Sequence, residues 1–152
     1  MSIPAATRGI ANASMPLPWL VLAGQPSEGQ LASLHAAGVR TVIDLRDPME
    51  PRPFDEPATT LALGMRYVNV PVVPGALDEM AMDEVLAALR TAAGTPTLLH
   101  CNSANRTGGP LIAFLMIDHK VDEASAIDTA MRSGLRSVEL MQWATEYART
   151  RT

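Results

Sequence analysis

Cysteine is nearly missing from this chain: one thiol, Cys101, in 152 residues. A lone cysteine excludes an intrachain disulfide and suits a reducing compartment. Long apolar runs are missing too, and none approaches the roughly 18–20 residues that a membrane-spanning helix needs. The first residues carry Arg8 but no apolar core ahead of a cleavage site, so no signal peptide is expected and a cytoplasmic location is the default. Positive charge is in deficit, with a formal net charge of −4 and a pI near 5.3. That balance argues against duplex nucleic acid or an acidic membrane as a partner. The three histidines (His35, His100 and His119) have no metal-ligand spacing with cysteine or carboxylates. Nucleophile-elbow, dinucleotide and Walker motifs are absent, so neither a metal nor a cofactor is expected.

What is present is an ordinary core-forming composition, 47% hydrophobic and 18% charged. It suits a single domain over residues 18–152, preceded by a loose leader at 1–17 that supplies at most one edge strand. Trp19–Ala23 reads as a strand. Ser27 and Gln30 have the spacing of a capping box ahead of a helix that Gly38 ends. Val39–Leu45 is the clearest strand, and Met65–Val72 alternates as a further one. Asp78 fits the cap of a helix that stops at Gly94. Three helices are expected after residue 109. Alternating strands and helices imply an α/β fold, a mainly parallel sheet flanked by helices. Functional side chains in such sheets gather beyond the carboxyl ends of strands, which makes Arg46 a candidate for substrate binding. Pro48–Pro57, with four prolines, is a stiffened loop placed to overhang the same edge.

The chain is organised around Thr97–Gly109, T-L-L-H-C-N-S-A-N-R-T-G-G. It reads as a strand, a tight loop and the start of a buried helix. Free backbone N–H groups in a loop at a helix N-terminus bind anions. The same dipoles favour a thiolate over a thiol, and the thiolate is the nucleophile. Cys101 at the strand end would be that nucleophile. Arg106 would grip two oxygens with its planar fork. Asn102, Ser103, Ala104 and Asn105 would offer main-chain donors to a small anionic substrate, and Thr107 a hydroxyl.

His100, Cys101, Arg106 and Thr107 resemble the signature loop of cysteine-dependent phosphatases, His-Cys-x5-Arg-Ser/Thr, with four residues between cysteine and arginine in place of five. That spacing, with Gly24–Ser27, Gly38–Arg46 and Tyr67–Val72, resembles a bacterial family related to dual-specificity phosphatases, the phosphatase-like domain of beta-lactamase-hydrolase-like proteins. The resemblance implies a cysteine-phosphatase fold and hydrolysis of a phosphate monoester through a phospho-cysteine. It also implies a general-acid aspartate in the loop where Asp78 stands, with Glu79 and Asp83 behind it. Rhodaneses share the short spacing, so sulfur transfer through Cys101 is the alternative, and a non-catalytic anion-binding module the second.

Overall fold

The computed structural model describes all 152 residues. Five short strands form one sheet: β1 (Ser14–Leu17), β2 (Leu20–Ala23), β3 (Thr41–Asp44), β4 (Arg66–Asn69) and β5 (Thr97–His100). Their spatial order is β1-β2-β5-β3-β4. Only the β1–β2 pair is antiparallel; β5 lies between β2 and β3 and runs parallel to both. Segment 1–17 thus supplies the edge strand that the sequence allowed, and it also forms a short helix, α1 (Ile3–Ala6), and buries Ala6 and Ile10. Pro16 lies within β1, on the sheet's outer edge, where a missing donor is tolerated.

The remaining helices are α2 (Glu28–Ala36), α3 (Glu56–Ala62), α4 (Glu79–Ala92), α5 (Gly108–Asp118), α6 (Glu123–Arg132) and α7 (Val138–Arg149). Side-chain alternation along the strands divides the interior into two cores. Leu20, Leu22, Ile43 and Leu99 point into the larger one, beneath α4–α7. Val21, Ala23, Val42 and Leu98 point into the smaller, with Ile10, Leu31 and Leu34. Helix α5 is buried from Gly108 to Met116 because its sequence is apolar all round. Its two glycines are a packing requirement: a Cβ on Gly108 would lie 2.6 Å from Leu135 Cβ, and one on Gly109 3.1 Å from the Trp143 ring. The start of α5 is thereby pressed against the α6–α7 turn and α7. No helix is long and apolar enough to cross a membrane.

Candidate active site

Because β5 is a central strand, its carboxyl end opens at the middle of the sheet edge, and Cys101 is the next residue. Cys101 is 1% exposed, and its N–H donates to the Ala23 carbonyl at 3.3 Å. The loop after it is fastened on the β2 side: Gln25 N–H donates to the Asn102 carbonyl at 3.0 Å, and the Asn12 amide to the Ser103 carbonyl at 2.9 Å. Gly24 lies so close that a Cβ there would be 2.6 Å from the Asn102 carbonyl oxygen. Ala104 takes a left-handed conformation, φ +66°, and its carbonyl accepts the Thr107 hydroxyl at 3.1 Å. A non-glycine residue pays about 1–2 kcal/mol for that conformation, so the loop's shape is imposed by its surroundings. The N–H groups of Asn102, Ser103, Asn105, Arg106 and Thr107 meet no acceptor within the chain. Free donors that follow a cysteine, include the arginine's own N–H and lead into a buried helix suit an anion.

On the β3 side the charges form a nearly continuous circuit. Nδ1 of His100, wholly buried, donates to the Cys101 carbonyl at 3.1 Å, and its Nε2 meets Glu56 Oε2 at 2.5 Å. Glu56 Oε1 accepts from the Gln25 amide at 2.7 Å, and the Gln25 oxygen accepts from Arg46 Nη1. Arg46 Nε reaches Glu50 Oε1 at 3.4 Å, and Glu50 takes the fork of Arg106 at 2.6 and 3.0 Å. Asp44, also buried, accepts from Tyr67 Oη at 2.6 Å, Arg52 Nη2 at 3.2 Å and the Arg46 N–H at 2.9 Å.

The electrostatics follow from these contacts. Burial alone would push the His100 pKa down, but the hydrogen bond and charge of Glu56 outweigh it, and the pKa is raised. Burial likewise opposes ionisation of Glu56, yet His100 wins and its pKa is lowered. Both shifts favour the charged forms, consistent with an Nδ1 that must donate to a carbonyl. The Arg106 hydrogen bond brings Glu50 down to about 2. Arg106 is raised, first by Glu50 and also by the proximity of Cys101. Asp44, Glu56 and His100 are the one group of metal-type donors within 4.8 Å of one another. Their oxygens and ring nitrogens already hold partners in the network, and a 2.5 Å nitrogen–oxygen contact is shorter than the roughly 3 Å between ligands of a tetrahedral ion bound at ~2 Å. The donor set suits a hydrogen-bond network.

A cleft of about 530 Å³ opens beside Arg106, lined by Asp47, Met49, Glu50, Pro51, Val73 and Pro74. The proline-rich loop is thus one wall of the site. Arg46 is 4% exposed, and its donors are spent on Glu50, Gln25 and the Pro51 carbonyl, so it sits beneath that loop as a support. Asp78 caps α4, accepting from Ala81 N–H at 2.8 Å, and lines a different cleft with Trp143 and Tyr147. Asp83 accepts the Tyr147 hydroxyl. The structure therefore brings Cys101, Asn102–Asn105, Arg106 and Thr107 together, places Arg46 under them, and leaves Asp78 outside. Sequence reasoning missed Glu50, Glu56 and Gln25. A signal for Glu50 was present, since Arg46 and Glu50 stand four apart directly after a strand.

The sequence profile of the phosphatase-like domain of beta-lactamase hydrolase-like proteins matches residues 17–112. The chain belongs to this family. A curated member, the beta-lactamase hydrolase-like protein of Xylella fastidiosa, is 30% identical over 91 residues, which is 57% of this chain and 21% of that protein. The chain thus matches about a fifth of the length of that curated relative. Among solved structures, a DUF442 protein of Shewanella putrefaciens superposes with a TM-score of 0.84 at 23% identity, over 97% of each chain. TpbA of P. aeruginosa, in complex with phosphotyrosine, superposes with a TM-score of 0.68 at 23% identity, over 94% of this chain and 91% of TpbA. The phosphatase-like domain described here therefore has the cysteine-phosphatase fold.

Proposed function

We propose that this domain is a cysteine-dependent phosphatase that cleaves phosphate monoesters with good leaving groups, phosphotyrosine-like aryl esters first. The carrying observation is the set of unpartnered N–H groups on Asn102, Ser103, Asn105, Arg106 and Thr107, directly after Cys101. In this reading the Cys101 thiolate attacks phosphorus and the ester oxygen leaves with the bonding pair. The loop amides and the free Nε–H side of Arg106 hold the non-bridging oxygens. Water then attacks the phospho-cysteine, and sulfur departs as thiolate beside Thr107. The phosphotyrosine bound to TpbA supports the substrate class.

The preference for good leaving groups follows from the acids. Glu50, on the cleft wall, stays ionised down to about pH 2 and has no proton to give. Asp78 spends its carboxylate on a helix cap. A general acid typically contributes 10²–10⁴-fold, so alkyl phosphates should be cleaved far more slowly than aryl ones. The four-residue spacing and the lack of a placed acid also favour a second reading, transfer of the outer sulfur of thiosulfate to Cys101 with sulfite leaving. One experiment separates them. Wild type and Cys101→Ser are assayed with p-nitrophenyl phosphate, and separately with thiosulfate plus cyanide. Nitrophenol release, with a phosphate adduct on Cys101 by mass spectrometry, supports hydrolysis. Thiocyanate alone supports sulfur transfer. Full activity in Cys101→Ser would overturn both.

A further inference from the structure

We infer that Arg136 forms a second anion subsite beside the Cys101–Arg106 loop and selects substrates that carry another anionic group next to the scissile one. The inference rests on the loop cradling an oxyanion, but not on which bond is then broken.

Arg136 belongs to the turn between α6 and α7. Its main-chain N–H donates to Asn105 Oδ1 at 2.7 Å, its Nη2 to Ser103 Oγ at 3.0 Å and its Nη1 to the Gly134 carbonyl at 3.2 Å. Two of these partners are loop residues that flank the strained Ala104. The turn cannot drift from the loop or press closer. Gly134 has φ +115°, and a Cβ on it would stand 2.7 Å from the Ala104 carbonyl oxygen. Buried Leu135 fills the space left by Gly108. The main chain of Arg136 is therefore set against the loop, and its guanidinium reaches the loop at Ser103 Oγ.

Its charge is unspent. Arg8, Arg40, Arg66, Lys120 and Arg136 have no carboxylate partner, whereas Arg46, Arg52, Arg90, Arg106, Arg132, Arg149 and Arg151 each have one. Of the cations without a carboxylate, Arg136 is the one bonded to the loop. The groove it lines, with Met131, Leu135, Ser137, Val138 and Met141, contains no acid. The cleft beside Arg106 carries Asp47 and Glu50, the latter already paired with Arg46 and Arg106. An anion arriving at the loop with a second negative group finds in Arg136 a guanidinium held only by neutral oxygens. Exchanging a hydroxyl or carbonyl partner for an anionic oxygen gives a charge-assisted bond roughly twice as strong. Arg136 touches loop residues, not the reacting atoms, and is a specificity residue.

The test is calorimetric titration of orthophosphate and of tripolyphosphate into Cys101→Ser, alone and combined with Arg136→Ala or Arg136→Lys, at constant ionic strength. Cys101→Ser should bind tripolyphosphate at least tenfold more tightly than orthophosphate. Arg136→Ala should erase most of that ratio, and Arg136→Lys should keep part of it. Unchanged melting temperatures establish that the variants are folded; should Arg136→Ala melt early, Arg136→Lys and Arg136→Gln carry the comparison. Equal weakening of both anions, or no preference before substitution, overturns the subsite. The phosphatase reading fails separately, by absent hydrolysis of p-nitrophenyl phosphate in wild type.

Discussion

The two flanks of the Cys101 loop are built on opposite principles. On the β3 flank nearly every polar atom belongs to an ion pair or a charged hydrogen bond, and much of the network is shielded from solvent. On the α6–α7 flank the contacts are close packing at glycine and neutral hydrogen bonds. The first arrangement fixes side chains through charge and loses much when one partner is removed, because the other is left unpaired. The second fixes the backbone through shape and leaves a side-chain charge over. Together they let a loop one residue short of the usual phosphatase signature keep its arginine oriented from one side and its main chain from the other.

The sharpest way to break the charged flank is Arg106→Ala. It removes the guanidinium whose Nε–H side would hold the oxyanion and leaves Glu50 without that partner at the site, and kcat/KM for an aryl phosphate should fall about 10²–10³-fold. A loss under threefold would mean the amides suffice.

Glu56→Gln comes next and reports on stability. Breaking a buried pair costs about 3–5 kcal/mol, roughly 10 °C in melting temperature for a chain of this size. The pH dependence has a defined sign. Glu56 has a lowered pKa, so its contribution is complete above its ordinary 4.5 and fades as pH falls through the folded value. His100 has a raised pKa, so its contribution is complete below 6.5 and fades as pH rises through the folded value. The gap between wild-type and Glu56→Gln melting temperatures should be widest between these two values and should narrow on either side. A gap that does not vary with pH would contradict the ion pair.

Glu50→Gln sharpens the comparison without unfolding anything, since this pair lies at the surface of the cleft. With the charge of its one carboxylate partner removed, the Arg106 fork should lose orientation and kcat should drop about tenfold. An increase in turnover would show that Glu50 competes with substrate for the fork.

Asp78→Ala is the smallest. Losing a helix cap costs about 1 kcal/mol, a melting shift of roughly 2–4 °C, with turnover within about twofold. A hundredfold fall in kcat would restore Asp78 as the proton donor.

Much of the fold was legible because the signals were local. The β-branched run before Asp44, the capping box at Ser27 and the all-apolar face of α5 each point to one structure. Cys101, Arg106 and the loop between them were legible because four residues keep them adjacent in space as well as in sequence. Glu56 and Gln25 were not. Each reaches the site across the sheet edge from a different element, His100 to Glu56 spanning 44 positions, and only the strand order β2-β5-β3 brings them together. Asp78 was open to two readings for the complementary reason. An aspartate ahead of a helix satisfies a cap and an acid equally well in sequence, and the cap is what its geometry serves.

Pro16 has an effect far from the chemistry. It interrupts the row of main-chain donors along the outermost strand, and an interrupted row is a poor template for another chain to lengthen the sheet. Association of copies by strand addition is disfavoured at that border, whereas β4, the outermost strand on the opposite side, carries no such interruption.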